Sequence, residues 1–237
     1  MNLTIMHLYY DLMNLYGENG NIKAIKSYLE QLGINVKIKF VTINDEINLN
    51  NVDFIYIGSG TEENQKLVLN HLKKYKNEIK NYIDKNKFIL ATGNSFELFG
   101  KKLTLNKKNY ECLGLFEYNT IAEDFRIVDE VIVKSKLINE PIIGFVNHYG
   151  IIKDIKTPLF EVIKGTGNYP KDKNEGFNYL NFYGTHIIGP ILVRNPYLLT
   201  KIINNLIKQK DKNFKLKKGN LNFEIEAYQH YIKKYNN

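Results

Sequence analysis

The first half of the chain alternates short apolar runs with longer amphipathic stretches. Continuous apolar runs at residues 54–57 and 88–91 are typical of strands that are covered on both faces. Residues 3–8 and 35–42 also have strand patterns. Between these strands, apolar residues recur every three or four positions, which is the spacing of one helix face. Strands that alternate with helices across short turns favour a parallel sheet between helical layers, so the pattern predicts an α/β fold.

Turn-forming residues set the limits of the first predicted helices. Asn21 is of a type that caps helices, and Gly33 follows the last residue of the apolar periodicity, so we predict a helix between them. A second, long helix is predicted after Gly60, with Leu69 and Ile83 on its apolar face.

The second half of the chain has a different pattern. Residues 110–167 contain mainly strand patterns, and residues 168–176 are the best candidate for a loop. Helical periodicity returns at residues 196–208, which begin with a proline, and at residues 223–235. Because no Pro- or Ser-rich linker and no internal repeat interrupts the chain, we predict a single domain over residues 1–237.

The charge and cysteine content exclude several classes of protein. The 237 residues include 33 basic and 25 acidic side chains, but only Arg126 and Arg194 are arginines, and the lysines are dispersed. Nucleic-acid interfaces cluster their basic residues and favour arginine, so we expect no nucleic-acid partner. The one cysteine, Cys112, excludes a disulfide scaffold and a cysteine-based zinc site, and we expect no metal and no cofactor. Without a signal-peptide pattern or an apolar run of ~18 residues, a cytoplasmic protein with no membrane insertion is expected.

Three loops at the ends of the predicted strands, residues 11–20, 58–65 and 92–96, are candidates for chemistry, because ligands of parallel sheets bind beyond the carboxyl ends of the strands. Gly58, Ser59 and Gly60 follow one strand, and their backbone N–H groups are able to bind an anion or an oxyanion. A tight strand-to-helix turn accounts for the same glycines equally well. Residues 92–95 follow another strand, at the place where α/β hydrolases carry a nucleophile.

Short motifs in a consistent order along the chain carry a family resemblance. Asp-Leu-Met-Asn-Leu-Tyr-Gly occupies residues 11–17, and Gly-Pro-Ile-Leu occupies residues 189–192. Smaller matches lie between them, at residues 20–22, 54–60, 99–102, 147–150, 175–176 and 184–185. With these blocks the chain resembles the glutamine amidotransferase subunits of lipid II isoglutaminyl synthase, the GatD type. These subunits belong to the cobyric-acid-synthase-like branch of class I amidotransferases.

The resemblance implies a flavodoxin-like class I glutamine amidotransferase fold, with a central, mostly parallel sheet flanked by helices and a strand-rich second half. It also implies a cysteine–histidine pair that hydrolyses glutamine and releases ammonia. The ammonia would pass to a Mur-ligase-like (MurT-type) partner, which uses ATP to amidate the D-glutamate of the peptidoglycan stem in lipid II. The expected assembly is a cytoplasmic heterodimer that acts in cell-wall synthesis.

The chain departs from the family pattern at both catalytic positions. The family turn Cys-Gly-Gly-Tyr-Gln matches residues 93–97, which places Gly93 at the position of the nucleophile. The family histidine precedes Gly-Pro, where this chain has Ile188. Glycine has no nucleophile and isoleucine transfers no proton. We therefore predict an amidotransferase-like subunit that keeps the fold and the partner but lacks glutaminase activity.

Two alternatives remain open. An active glutaminase or amidase would use Thr92 or Ser95 as its nucleophile with His186, which lies two residues before the family histidine position. A module that binds a small amide or amino acid would use the turn at residues 58–60 and Arg126.

Arg126 matches the substrate-contacting arginine of the family. Its alternative role is a structural ion pair, with Glu123 or Asp124 as the nearest candidate partners in sequence.

Overall fold

Thirteen strands and six α-helices make up the computed structural model, which describes residues 1–153, 155–215, 217 and 219–236. Two short 3₁₀ helices, Lys73–Tyr75 and Gly93–Phe99, lie among them. In chain order the other elements are β1 (Asn2–Leu8), α1 (Asn19–Gln31), β2 (Asn35–Val41), β3 (Phe54–Ile57), α2 (Glu62–Leu72), α3 (Lys76–Asp84), β4 (Phe88–Thr92), β5 (Lys102–Leu105), β6 (Lys108–Glu111), β7 (Asn119–Lys134), β8 (Ile142–Ile152), β9 (Phe160–Lys164), β10 (Asn174–Glu175), β11 (Phe177–Tyr179), β12 (Phe182–Thr185), β13 (Ile187–Ile188), α4 (Ile191–Arg194), α5 (Pro196–Lys210) and α6 (Asn222–Asn236).

A six-stranded sheet positions the candidate site. Its order is β11-β12-β4-β3-β1-β2, and every neighbouring pair is parallel except β11 with β12. Alternate residues of β3 enter different cores: Phe54 and Tyr56 share one with α1 and α5, whereas Ile55 and Ile57 share the other with α2 and α3. Because both faces are covered, every residue of β3 and β4 is buried. The predicted α/β fold with a mostly parallel sheet is confirmed.

The strand-rich second half forms a second sheet. Its two longest strands, β7 and β8, are antiparallel, and β13 pairs with the far side of β8. The register of β7 and β8 shifts between Ala122 and Ile127, so residues 123–126 lie opposite a single residue of β8, Tyr149. This bulge interrupts the ladder and leaves Arg126 beside the Tyr149 ring.

The prediction that Asn21 caps the first helix is wrong. Helix α1 begins at Asn19, and the Asn21 side chain is buried. Its Nδ2 donates to the Tyr56 hydroxyl, and its Oδ1 accepts from the backbone N–H of Leu192, both at 2.8 Å. A tertiary contact has therefore overridden the local capping preference of asparagine.

The single long helix predicted after Gly60 is also corrected. It divides into α2 and α3 at the 3₁₀ turn Lys73–Tyr75. Leu72 and Ile79 are buried on either side of this turn, so the apolar periodicity continues through it and does not reveal it. The candidate loop at residues 168–176 includes the short strand β10 near its end.

The two C-terminal helices are confirmed as α5 and α6, and α5 begins with Pro196 as expected. Among the residues that the structure describes, no helix combines the length and the apolar character needed to cross a membrane.

Asn195 joins α4 and α5 to the second sheet. Its buried side chain accepts from the Ile143 N–H and donates to the carbonyls of Ile143 and Ile191, all at 2.8 Å. Without this side chain, the Ile143 backbone N–H is left buried and unpaired.

We expect Asn195→Ala to lower the free energy of unfolding by about 2–4 kcal/mol, because it removes three hydrogen bonds and leaves buried backbone groups unsatisfied. Urea denaturation measures the change. The control, Asn77→Ala, lies on the exposed side of α3 and is expected to shift the value by less than about 0.5 kcal/mol. Equal effects of the two substitutions would contradict this role of Asn195.

Candidate functional site

The two positions that the family resemblance assigns to catalysis, Gly93 and Ile188, lie side by side. Gly93 follows β4 with a φ of +62°, a left-handed conformation that glycine adopts without strain. A Cβ atom built on Gly93 would lie 3.0 Å from Cγ2 of Ile188, which belongs to β13. Residues far apart in sequence therefore meet at the carboxyl end of the parallel sheet, as the family pattern requires.

Ser59 occupies the space that a side chain at position 93 would need. A Cβ atom on Gly93 would lie within 3.0 Å of both Cβ and Oγ of Ser59, closer than real contacts allow. Ser59 is buried, and its Oγ donates to Oδ1 of Asn94 at 3.2 Å. A side chain at position 93 therefore requires Ser59 or the surrounding backbone to shift.

The turn formed by Gly58, Ser59 and Gly60 is held by Asn94. The Gly60 N–H donates to Asn94 Oδ1 at 3.1 Å, and Asn94 Nδ2 donates to the Gly60 carbonyl at 2.9 Å. One of the backbone donors proposed for an oxyanion is thus already hydrogen-bonded within the protein, and the oxyanion role stays a prediction.

The alternative nucleophiles are both buried and hydrogen-bonded. Thr92 Oγ1 bonds to the Glu18 carboxyl and to the Tyr56 hydroxyl, the latter at 2.9 Å. Ser95 Oγ donates to the carbonyls of Ile57 and Thr92, at 3.1 and 2.8 Å. No hydrogen bond joins either hydroxyl to His186 in the part of the chain that the structure describes. The structure therefore does not bring them together as a nucleophile–base pair.

Glu18 is a central residue to which the sequence analysis assigns no role. Its carboxyl is fully buried and accepts hydrogen bonds from the Tyr56 hydroxyl at 2.8 Å and from the Gly189 N–H at 2.9 Å, in addition to bonding Thr92. Burial raises the pKa of this carboxyl above its usual range, although the three hydrogen bonds oppose the shift. The feature of the sequence that could have identified Glu18 is an acidic side chain at the end of the glycine-rich turn after β1.

Arg126 lines a narrow cleft between the turn at residues 58–60 and the strands β7 and β8. Its guanidinium donates to Asn147 Oδ1 at 2.7 Å and to Glu62 Oε1 at 3.1 Å, and it lies 4.0 Å above the Tyr149 ring. The ion-pair partner of Arg126 is Glu62 of α2, and not Glu123 or Asp124, the two candidates that lie nearest in sequence. The Arg126 guanidinium, which the family resemblance assigns to substrate binding, is therefore already paired with a carboxylate of the protein.

The cleft beneath Arg126 is very small. Its volume is about 20 Å³, which leaves space for one or two molecules the size of water. Glutamine does not fit in this conformation of the protein. Within the described residues, no cluster of His, Cys, Asp or Glu is arranged to hold a metal ion.

Comparison with known proteins identifies the family. The model of the CobB/CobQ-like glutamine amidotransferase domain matches residues 4–196. The chain belongs to this family. It is 33% identical over 212 residues to the lipid II isoglutaminyl synthase (glutamine-hydrolyzing) subunit GatD of Streptococcus pneumoniae, covering 88% of this chain and 82% of the relative. It is 30% identical over 228 residues to the GatD subunit of Staphylococcus aureus, covering 96% and 93%.

Solved structures support the same fold. A glutamine amidotransferase of Thermotoga maritima superposes with a TM-score of 0.52 at 11% identity, covering 98% of this chain and 91% of the other. A second glutamine amidotransferase gives a TM-score of 0.56 at 13% identity, covering 85% and 97%. The predicted class I glutamine amidotransferase fold is confirmed, and the resemblance to GatD subunits extends over most of the chain.

A buried acid–imidazole cluster lies behind the cleft of this family member. His186 Nε2 is 3.1 Å from Oε1 of Glu97, and Gln65 Nε2 donates to the other oxygen of Glu97 at 2.8 Å. The His148 ring stacks on the His186 ring, with centroids 3.7 Å apart and planes within 3°. From the sequence, His186 is predicted only as a base for Thr92 or Ser95, and no role is predicted for Gln65, Glu97 or His148.

Burial favours the uncharged forms of the acid and of the two histidines in this cluster. It raises the pKa of the Glu97 carboxyl to about 7, and it lowers the pKa values of His148 and His186 to about 3. The neutral carboxyl is then able to donate to Nε2 of His186. Glu97 occupies the position where the family turn has glutamine, the uncharged isostere of a protonated glutamate.

Cys112 does not replace the missing nucleophile. It is buried in the core beside β6, and burial raises the pKa of its thiol to about 12. A thiol that stays protonated at neutral pH is a poor nucleophile.

We expect Glu97→Gln to stabilise the protein at pH 8 and to have little effect at pH 5. The folded state raises the pKa of Glu97 from 4.5 to about 7, so the native protein loses stability as pH rises through this range, by up to about 3 kcal/mol. Glutamine mimics the protonated acid and removes this loss.

Urea denaturation at the two pH values measures the difference between the variant and the parent. The control, Glu63→Gln, removes a carboxylate that is exposed on the same helix as Gln65, and its effect should be the same at both pH values. A Glu97→Gln effect that does not depend on pH would contradict the assignment.

Proposed function

We propose that this chain is a GatD-type subunit of a lipid II isoglutaminyl synthase complex that does not itself hydrolyse glutamine. One observation carries the proposal: Gly93 stands at the nucleophile position, and Ser59 fills the space that a side chain there would need. The relatives in Streptococcus pneumoniae and Staphylococcus aureus are both named as glutamine-hydrolysing subunits, so the loss of activity concerns this chain.

Glutaminase chemistry needs a thiolate, a histidine that transfers a proton, and a pocket for glutamine. Here the nucleophile and the histidine are both replaced, by Gly93 and Ile188. The cleft that remains has a volume of only about 20 Å³, and Arg126 is held by Glu62. The nucleophile, the proton-transferring histidine and the glutamine pocket are therefore all lacking, and the residues responsible lie on different elements of the fold.

The proposed partner is a Mur-ligase-like (MurT-type), ATP-dependent protein in the cytoplasm. The fold and its blocks of family sequence are retained across the chain, which supports a conserved role in a complex. Because this subunit releases no ammonia from glutamine, the partner would use free ammonia to amidate lipid II.

The amidase alternative depends on Thr92 or Ser95 with His186. Against it, Thr92 is bonded to Glu18 and Tyr56, and His186 is bonded to Glu97. The alternative of a small-molecule binding module depends on Arg126, whose carboxylate-binding face is taken by Glu62.

We expect the purified chain to release no glutamate or ammonia from L-glutamine above the buffer rate, alone or with its ligase partner. The same complex should amidate lipid II when ammonium is supplied. Glutamate release that disappears in His186→Ala would overturn the proposal in favour of the amidase. Release that persists in His186→Ala would overturn it without supporting that mechanism.

A second prediction tests the steric conflict between positions 59 and 93. Gly93→Cys alone should lower the free energy of unfolding by about 2–4 kcal/mol. The added Cβ collides with Ser59, and the cysteine would have to adopt a positive φ, which is strained for a residue with a side chain. In the Ser59→Gly background the same substitution should cost less by at least about 1 kcal/mol. Urea denaturation of the four proteins gives this coupling, and strictly additive effects would contradict the steric explanation.

A further inference from the structure

The cleft beneath Arg126 has a size that suits a very small ligand. Its volume of about 20 Å³ is close to that needed by one water molecule, and ammonium has a similar size. Its lining includes the polar side chains of Gln65, Asn94, Glu97, Asn147 and His148. The cleft is thus polar, and it is too small for any amino acid.

One group that lines the cleft is a hydrogen-bond acceptor without a partner. His148 Nδ1 lies 2.6 Å from the Gly150 carbonyl, which only accepts, so Nδ1 carries the proton of the neutral ring. His148 Nε2 therefore presents a lone pair. This atom is buried and makes no hydrogen bond within the described part of the chain. An N–H or O–H donor satisfies this lone pair, as would a metal cation.

Above about pH 7, where the Glu97 carboxyl ionises, a second group provides a negative charge that is not paired with a cation in the described part of the chain. Glu97 lines the same cleft, and its hydrogen-bond partners are Gln65 and the neutral His186. The nearby cation, Arg126, is already paired with Glu62 at 3.1 Å. A buried carboxylate in this environment is stabilised by a small cation that enters the cleft.

The acceptor and the carboxylate lie close together. The His148 ring is stacked at 3.7 Å on the His186 ring, whose Nε2 is 3.1 Å from Glu97. Thr120 Oγ1, another buried atom without a partner in the described residues, belongs to the strand beside Gly150. Of these groups, His148 and Glu97 line the cleft and offer acceptors to a molecule inside it.

We infer that this cleft binds an ammonium ion, which donates N–H bonds to His148 Nε2 and to the Glu97 carboxylate. The inference rests on the proposed function, because a subunit that no longer releases ammonia would instead hold it for the ligase. Ammonium combines the positive charge that Glu97 favours with an N–H donor for His148. Potassium has no donor, water has no charge, and methylammonium is larger by a methyl group.

The test measures the melting temperature of the purified full-length chain at pH 8, where ammonium is still protonated. Ammonium chloride, potassium chloride and methylammonium chloride are compared at equal ionic strength. We expect ammonium chloride alone to raise the melting temperature, by about 2–5 °C at saturation. An equal rise in potassium or methylammonium chloride would overturn the inference.

Glu97→Gln should abolish the response to ammonium, whereas Glu63→Gln, an exposed carboxylate on α2, should retain it. Line broadening of ¹⁵N-ammonium by NMR provides a direct measurement of binding that needs no variant. Absence of broadening with the parent protein, or an undiminished response in Glu97→Gln, would overturn the inference.

The outcome is separable from that of the proposed function. A chain that supports ammonia-dependent ligation and shows no ammonium binding would leave the proposed function standing and remove only this site. A chain that hydrolyses glutamine would remove the proposed function, whatever the result of the ammonium titration.

Discussion

The buried carboxyl of Glu18 joins the segments on which the site depends. It is bonded to Tyr56 of β3, to Thr92 of β4 and to the backbone of Gly189 after β13, while its own residue precedes α1. A carboxyl in a fully buried position is tolerated because each contact is a hydrogen bond. The two turns that flank the candidate site are therefore fixed relative to each other by one side chain, and the narrow spacing between positions 59, 93 and 188 follows from it.

Much of the fold could be predicted from the sequence, because strands that are buried on both faces have a continuous run of apolar residues. The strands β3 and β4 are continuous apolar runs, and α5 begins with a proline and continues with helical periodicity. The errors occur where a distant contact decides the local structure. Asn21 has the chemistry of a helix cap, but its amide is used between Tyr56 and Leu192. No local pattern contains that information.

The candidate site was predictable only in part, and for the same reason. The family pattern pointed to Gly93 and Ile188, and these residues do meet. The contacts that define the present chemistry join residues with no sequence relation: Glu97 with His186, and Arg126 with Glu62. Pairings of this kind depend on the strand order and on the bulge in β7. Sequence proximity favoured Glu123 and Asp124 instead, which lie within the same bulge.

The steric conflict between Ser59 and a side chain at position 93 has an evolutionary consequence. A cysteine at position 93 would be destabilising as a first step, because its Cβ would collide with Ser59. Ser59 must first become smaller, and that change brings no catalytic benefit while residue 93 is glycine. The order of substitutions that would place a nucleophile at position 93 is therefore constrained.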